Sequence, residues 1–436
     1  MMSNAKMASY PLYDSYKDSG VDWLGEIPEG WELKRLKYVV TIRKRIIGHE
    51  GVDVLSITQT GIKVKDITTG EGQLSMDYSK YQIVHQGDFA MNHMDLLTGY
   101  VDRSKFDGVV SPDYRVFTND SSDVDNSYLL KIFQMGYTQK IFFKYGQGVS
   151  MLGRWRLPAD NFVNFLIPIP SLEEQNKIID FLNERTAQID QAIALKQQQI
   201  AKLNEYKQIV IQNAVTKGLN PNAPMKDSGV NWIGEIPEHW ETKKLKFVCI
   251  VNALTLAENT NSKFKISYVD IGSVTFEEGI IKTEEFEFGS APSRARRIAK
   301  KNDTIISTVR TYLKAIDFID SKKSKYIYST GFAVLSPKSN INPKYLMYFV
   351  WSLAFTNQVR DHSKGISYPA INSTDLSRLF VALPPEDEQR QINEIIEKKS
   401  NQINRAIIAY DNQIKHLQEY KTILINQAVT GKIKVS

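Results

Sequence analysis

The 436-residue chain is written twice, and that repetition limits its fold more than any other feature of the sequence. Lys17–Trp31 returns as Lys226–Trp240 with only Asp22/Asn231, Leu24/Ile233 and Gly30/His239 changed. The agreement runs on through Lys34-Arg35-Leu36-Lys37 and Lys243-Lys244-Leu245-Lys246. A later block, Glu205-Tyr206-Lys207 to Ala214-Val215-Thr216, returns as Glu419-Tyr420-Lys421 to Ala428-Val429-Thr430. Between these frames, residues about 40–165 and 250–380 share little beyond general pattern. Two similar frames therefore hold two dissimilar inserts, with an internal pseudo-twofold repeat.

The later blocks read as long helices. Ser171 offers an N-cap with Glu174 three residues on, the pattern of a capping box. Gly218 supplies a left-handed stop, and Asn220–Pro224 reads as a linker. The second helix opens after Pro384-Pro385, without a Ser cap, and stops near Gly431. Apolar positions recur at steps of four and three. One seam runs Leu182, Thr186, Ile189, Ile193, Lys196, Ile200, Leu203, Lys207, Val210, Ala214. The other runs Ile396, Ser400, Ile403, Ile407, Tyr410, Ile414, Leu417, Lys421, Leu424, Ala428. They correspond position by position, polar sites included, so the two helices are expected to form an intramolecular coiled coil. Each would be roughly 65 Å long at 1.5 Å per residue. The seams fit parallel or antiparallel packing; the antiparallel pair, with one insert at each end, explains why so long a rod exists.

The inserts mix short β-branched and aromatic runs with turn signals, giving strands at 53–57, 83–84, 109–110, 114–117, 266–270, 304–309 and 331–335. Tyr128–Phe133 and Pro343–Leu353 read as helices. The fold class is α+β, two mixed α/β inserts joined by two long helices.

In the first insert Gly87–Asn92 is followed by Phe106–Phe117. In the second, Asn302–Arg310 and Thr330–Val334 hold the matching places. Pro168-Ile169-Pro170 with Glu173-Glu174-Gln175, and Leu383-Pro384-Pro385 with Glu388-Gln389, lead into the helices. In order and duplication these motifs resemble the specificity subunits of type I restriction–modification systems, from Trp23 to Thr430. The resemblance implies target-recognition domains at 1–170 and 220–383 and conserved helices at 171–219 and 384–436. It further implies a subunit without catalysis of its own, reading one half of a bipartite double-stranded DNA site with each domain while the helices fix the gap. Its implied partners are two modification (methyltransferase) subunits and restriction/translocase subunits, which carry S-adenosylmethionine, ATP and Mg; none is expected on this chain. The competing reading is a coiled-coil scaffold joining two partner-binding modules with no DNA specificity.

Reading DNA requires cations for phosphates and forked or amide side chains for base edges. Arg43, Lys44 and Arg45, and Arg294, Arg296 and Arg297 with Lys300-Lys301, are the densest basic clusters in the inserts. Turn residues flank each cluster, as for loops facing a groove; a merely solvated basic surface is the alternative. Gly146–Ser150, with Gln147 and Ser150, and Lys364–Tyr368, with Lys364, Ser367 and Tyr368, lie at equivalent points before the helices. Both are candidate DNA loops, and Arg154 and Arg156 add charge nearby. Arg310 closes its motif and joins the candidates. Lys34, Arg35 and Lys37 recur with the frame, so they cannot discriminate sequence; phosphate contact or packing suits them. Trp23, Trp31, Trp232 and Trp240 read as core anchors.

Catalytic patterns fail one by one. Gly431-Lys432 lacks the Ser or Thr of a phosphate loop, and Gly146-Gln147-Gly148 lacks a third glycine. The six histidines have no zinc spacing, and Asp387 and Glu388 read as helix-dipole partners. A net charge of +6 suits phosphate without requiring it. The lone Cys249 fits a buried apolar site and a reducing cytoplasm. No apolar run is long enough to span a bilayer, and Met1–Ser19 lacks a signal-peptide layout.

Overall fold

The computed structural model describes residues 10–68, 75–148 and 155–435. The chain forms two compact units whose boundaries cut through both long helices. One takes residues up to Leu195 with those from Asn412 onward, the other Lys196–Asp411.

In the first unit a four-stranded antiparallel sheet has the order Val40–Arg43, Arg115–Asn119, Phe89–Met91, Val101–Arg103. Phe89 and Phe117 stack across it at 5.2 Å, and Phe133 meets Phe117 edge-on at 5.1 Å. Phe133 lies on the helix Asn126–Thr138, whose first turn is capped by Asp125 accepting from the Ser127 and Tyr128 amides. Smaller pairings, Gln82–Val84 with Gly108–Val110 and the hairpin Leu55–Thr58/Gly61–Val64, form a second layer.

The second unit repeats this path through unrelated residues. Its sheet has the order Cys249–Val251, Phe332–Pro337, Thr304–Ser307, Ile316–Phe318, again all antiparallel. The helix Pro343–Trp351, capped by Asn342 with Pro343 in its first turn, takes the place of Asn126–Thr138. The second layer is a five-stranded sheet here, with Lys265–Val269 parallel to Ile327–Ser329. Among the described residues of the first unit that parallel pairing is reduced to the bridge Val54–Val109.

The long helices span Leu172–Lys217 and Glu386–Val429 and end at Gly218 (φ +70°) and Gly431 (φ +73°). Both glycines are left-handed stops. Lys421 reaches Asp190 at 2.7 Å in one unit; in the other, Lys207 donates to Asn404 at 3.1 Å. Within the second unit Lys196 also lies over the Tyr410 ring at 5.4 Å, so numbers rise along one helix as they fall along the other and the pair is antiparallel there. All twenty seam positions are buried or half-buried, while Leu195, Tyr206, Ile209 and Ile408 beside them are exposed. The capping box is only half made. Ser171 Oγ accepts from the Glu174 amide at 3.3 Å, but the Glu174 carboxylate turns to Tyr13 and Trp31.

Candidate nucleic-acid interface

Each module is held to the helices by the same three polar locks. Trp31 Nε1 donates to Glu174 at 3.1 Å, and Trp240 Nε1 to Glu388 at 3.0 Å. The buried hydroxyl of Tyr128 donates to the Pro168 and Val429 carbonyls, and that of Tyr345 to Ala382 and Val215. Gln175 accepts from the Asp125 amide and donates to Pro170; Gln389 accepts from Asn342 and donates to Pro384. Each of these lock donors has an acceptor within hydrogen-bond distance. Glu388 is therefore a specific acceptor as well as an acidic residue in the first helical turn. Of the four repeated tryptophans, Trp31 and Trp240 are core anchors and Trp23 stacks on Phe165. Trp232 departs from that expectation: it is 39% exposed, bound to Asp361 and overlain by Arg360.

Inside the inserts a second set of correspondences persists where sequence identity is gone. Gly87 (φ +98°) and Asn302 (φ +76°) turn the chain ahead of Asp88 and Asp303, each accepting from a backbone amide three residues back. Burial holds the Asp303 carboxyl above its ordinary range. Asp102 accepts from the Ile62 amide beside Gly61, as Asp317 does from Ile280 beside Gly279. A Cβ on either glycine would lie within 2.7 Å of the aspartate.

The loops ahead of the long helices also match. Gln147 and Arg156 exchange backbone hydrogen bonds at 2.9 and 3.1 Å; Lys364 and Ala370 do so at 2.9 and 2.8 Å. The chain then pairs with the segment following the central strand, through Leu157 N to His93 O and through Ile371 N to Thr308 O. In the second module this brings candidates together. Arg310 (φ +51°) lies over the Tyr368 ring at 5.1 Å, and Ser367 and Lys364 are exposed beside them. Exposed Tyr312, Leu313 and Ile366 border the same loops. A guanidinium, an ammonium, a hydroxyl and exposed rings here can meet phosphate and base edges alike.

The basic clusters are built differently from the loops expected of them. Arg43 ends an edge strand and forks onto Asp120 at 2.9–3.0 Å, while Arg45 pairs with buried Asp88. Lys44 between them is exposed. Arg296 and Arg297 lie in the strand Ala295–Ile298. Arg296 packs over Phe288 at 4.4 Å, and Arg297 donates to Thr255, with burial lowering its pKa. Arg294, Lys300 and Lys301 are exposed. Gln147 is exposed at its loop; Ser150 and Arg154 lie outside the described residues. Arg115 is buried, donating to the Leu157 carbonyl over the Phe162 ring. Burial, with Arg115 and Arg156 nearby, pushes His93 down to about 4. Cys249 is buried, its thiol pushed up to about 12.

Sequence reasoning missed a cleft of about 700 Å³ in the first module, lined by Ser56, Tyr81, Asn92, Ser111, Asp113 and Tyr114 among others. At the matching place in the second module Ile271 and Val309 close against Gly331. The modules thus agree in frame and differ in the surfaces around the central strand. Among the described residues no cluster of histidine, cysteine and carboxylate could hold a metal, and no helix is long and apolar enough to cross a membrane.

The profile of the type I restriction modification DNA specificity domain matches residues 28–205 and again 237–414. The MjaX specificity subunit of Methanocaldococcus jannaschii is 23% identical across 94% of this chain and 96% of its own length. The MjaVIII specificity subunit of the same organism is 26% identical over 63% of each. A chain solved in a study of complex assembly and conformational transition of the type I R-M system shares the fold. It has a TM-score of 0.63 at 17% identity, covering 92% of this chain and 98% of that one. With the duplicated domain spanning most of its length, the chain belongs to the type I restriction–modification specificity subunits, the non-catalytic components that recognise the DNA target.

Proposed function

We propose that this subunit reads a bipartite duplex target, one half with each module, and that the helix pair sets the unread gap. The supporting observation is the pairing of one repeated frame with two different outer surfaces, a cleft lined by Ser56, Asn92, Ser111 and Tyr114 in one module and the exposed Arg310, Lys364, Ser367 and Tyr368 in the other. Base-edge reading belongs to what differs between modules; positioning belongs to what repeats. Recognition domains at 1–170 and 220–383 and helices at 171–219 and 384–436 are the functional segments. Arg310, Lys364, Ser367 and Tyr368 form the second module's contact surface. Gln147, Ser150 and Arg154 serve the first, with Lys44 and Arg294 as phosphate contacts. Arg43, Arg45, Arg296 and Arg297 act at the margin of that surface, held by their intramolecular partners.

Two modification subunits and the restriction/translocase subunits assemble on this chain in the cytoplasm. S-adenosylmethionine, ATP and Mg are handled by those subunits. The test is to replace residues 40–165 with the insert of a relative and map methylation by the assembled complex. One half of the methylated site should change and the other remain. An unchanged site would overturn the proposal.

A further inference from the structure

An exposed lysine–aromatic pair of side chains occurs in both frames, outside either core. Leu36–Tyr38 forms a single helical turn, and Leu245–Val248 forms its counterpart. Each is pinned by a backbone bond, Leu36 N to Phe165 O at 3.0 Å and Leu245 N to Leu379 O at 2.7 Å. Leu36 and Val39 are buried in one, Leu245 and Val248 in the other. Between those buried residues each turn points a lysine and an aromatic ring outward. Tyr38 is 70% exposed and Phe247 56% exposed. Lys37 lies 5.0 Å from the Tyr38 ring centre, and Lys246 lies 5.1 Å from that of Phe247.

A single exposed ring needs no explanation. Two rings at equivalent positions, each under its own lysine, are different, because the core would be unaffected by losing either. The immediate surroundings have diverged: Asp123, which pairs with Lys34 in the first unit, is replaced by Asn340 in the second. A feature present in both modules cannot tell one half-site from the other. Its occupant must offer the same chemistry twice. A phosphodiester backbone would do so, yet an open phenyl or phenol face gains little from phosphate. A protein hollow that buries the ring while carboxylates meet the lysine uses both groups.

We propose that these two turns are docking points for two copies of one protein partner. Each copy would take the Tyr38 or Phe247 ring into an apolar hollow edged by acidic side chains. Beside Phe247 lies an open groove of about 530 Å³ lined by Lys243, Lys244, Asn340 and Phe380, which leaves room for such a contact. The inference rests on the assembly reading above and adds to it the place of contact, on the module frames outside the helix seam.

The test uses the full chain co-purified with the modification subunit of its own system, with stoichiometry read by native mass spectrometry. Wild type should carry two copies. The pair Lys37→Glu/Tyr38→Ser should carry one, Lys246→Glu/Phe247→Ser one, and the fourfold variant none, with unchanged melting because the replaced groups are exposed. Two copies retained by both pair variants would overturn the proposal. So would retained copies with weaker, less salt-dependent binding to non-specific duplex, which would assign the turns to phosphate. A wild-type chain that carries no modification subunit would instead sink the assembly reading, and this site with it.

Discussion

Trp240 Nε1 donates to Glu388 Oε2 at 3.0 Å across 148 residues of chain, and Trp31 makes the same bond to Glu174. A hydrogen bond to a charged acceptor contributes about 1.5–3 kcal/mol. Trp240→Phe should therefore destabilise by about 2–3 kcal/mol, read as a lower unfolding midpoint. Glu388→Gln keeps an acceptor and should cost under about 1 kcal/mol.

The helix seam carries two unequal polar pairs. Asp190 accepts from Lys421 and lies near half-buried Lys131; Asn404, at the equivalent position, meets Lys207 without a charge. Asp190→Ala should cost about 1 kcal/mol, since the pair is partly exposed. Asn404→Asp should raise the melting temperature, because burial lowers the Lys207 pKa and a carboxylate would oppose that shift. No rise in melting temperature would count against a register role for the pair.

His93 sets a pH dependence. Its folded pKa, pushed down to about 4, lies below the ordinary 6.5, so the folded chain prefers the neutral ring. Between about 6.5 and 4 the unfolded chain binds the proton first. Stability should therefore fall as pH drops through that window and level off below it. His93→Gln should flatten the curve in a thermal-melt series.

Among the described residues, Arg310 is the base-contact candidate whose guanidinium has only an aromatic partner, the Tyr368 ring. Arg310→Ala should weaken specific binding by roughly 10- to 100-fold and relax one position of one half-site, as expected for loss of a base contact. Lys44→Ala should weaken binding to all sequences alike and reduce the salt slope by about one. Titrations at several salt concentrations, on matched and altered targets, separate the two.

One heptad added to both long helices should lengthen the unread gap by about three base pairs, given a rise of roughly 10 Å and 3.4 Å per base pair. Methylome mapping with the lengthened chain checks it, and an active complex with an unaltered gap would refute the spacer role.

The frames and seams were legible because their signals are local: caps, glycine stops, and a heptad period within one helix. Leu182 and Ile403 needed no knowledge of the rest of the chain to be placed inside. Arg43 and Arg45 were not legible as ion-paired residues, because Asp120 and Asp88 lie 77 and 43 residues away. The correspondence of Gly61 and Asp102 with Gly279 and Asp317 was hidden for a related reason. A left-handed turn and one carboxylate, brought together by sheet register, satisfy that lock, and the intervening residues are free to change. The cleft beside Asn92 depends on side chains from several strands, and no periodicity encodes it.

The tyrosine hydroxyls of Tyr128 and Tyr345, each bridging two backbone carbonyls, bear on how such a chain can evolve. Their socket is made of main-chain atoms, which every substitution leaves in place. A foreign insert that brings its own tyrosine to that point would meet a receptor indifferent to its other residues. New target preferences could then be acquired by wholesale exchange, with foldability inherited instead of rebuilt.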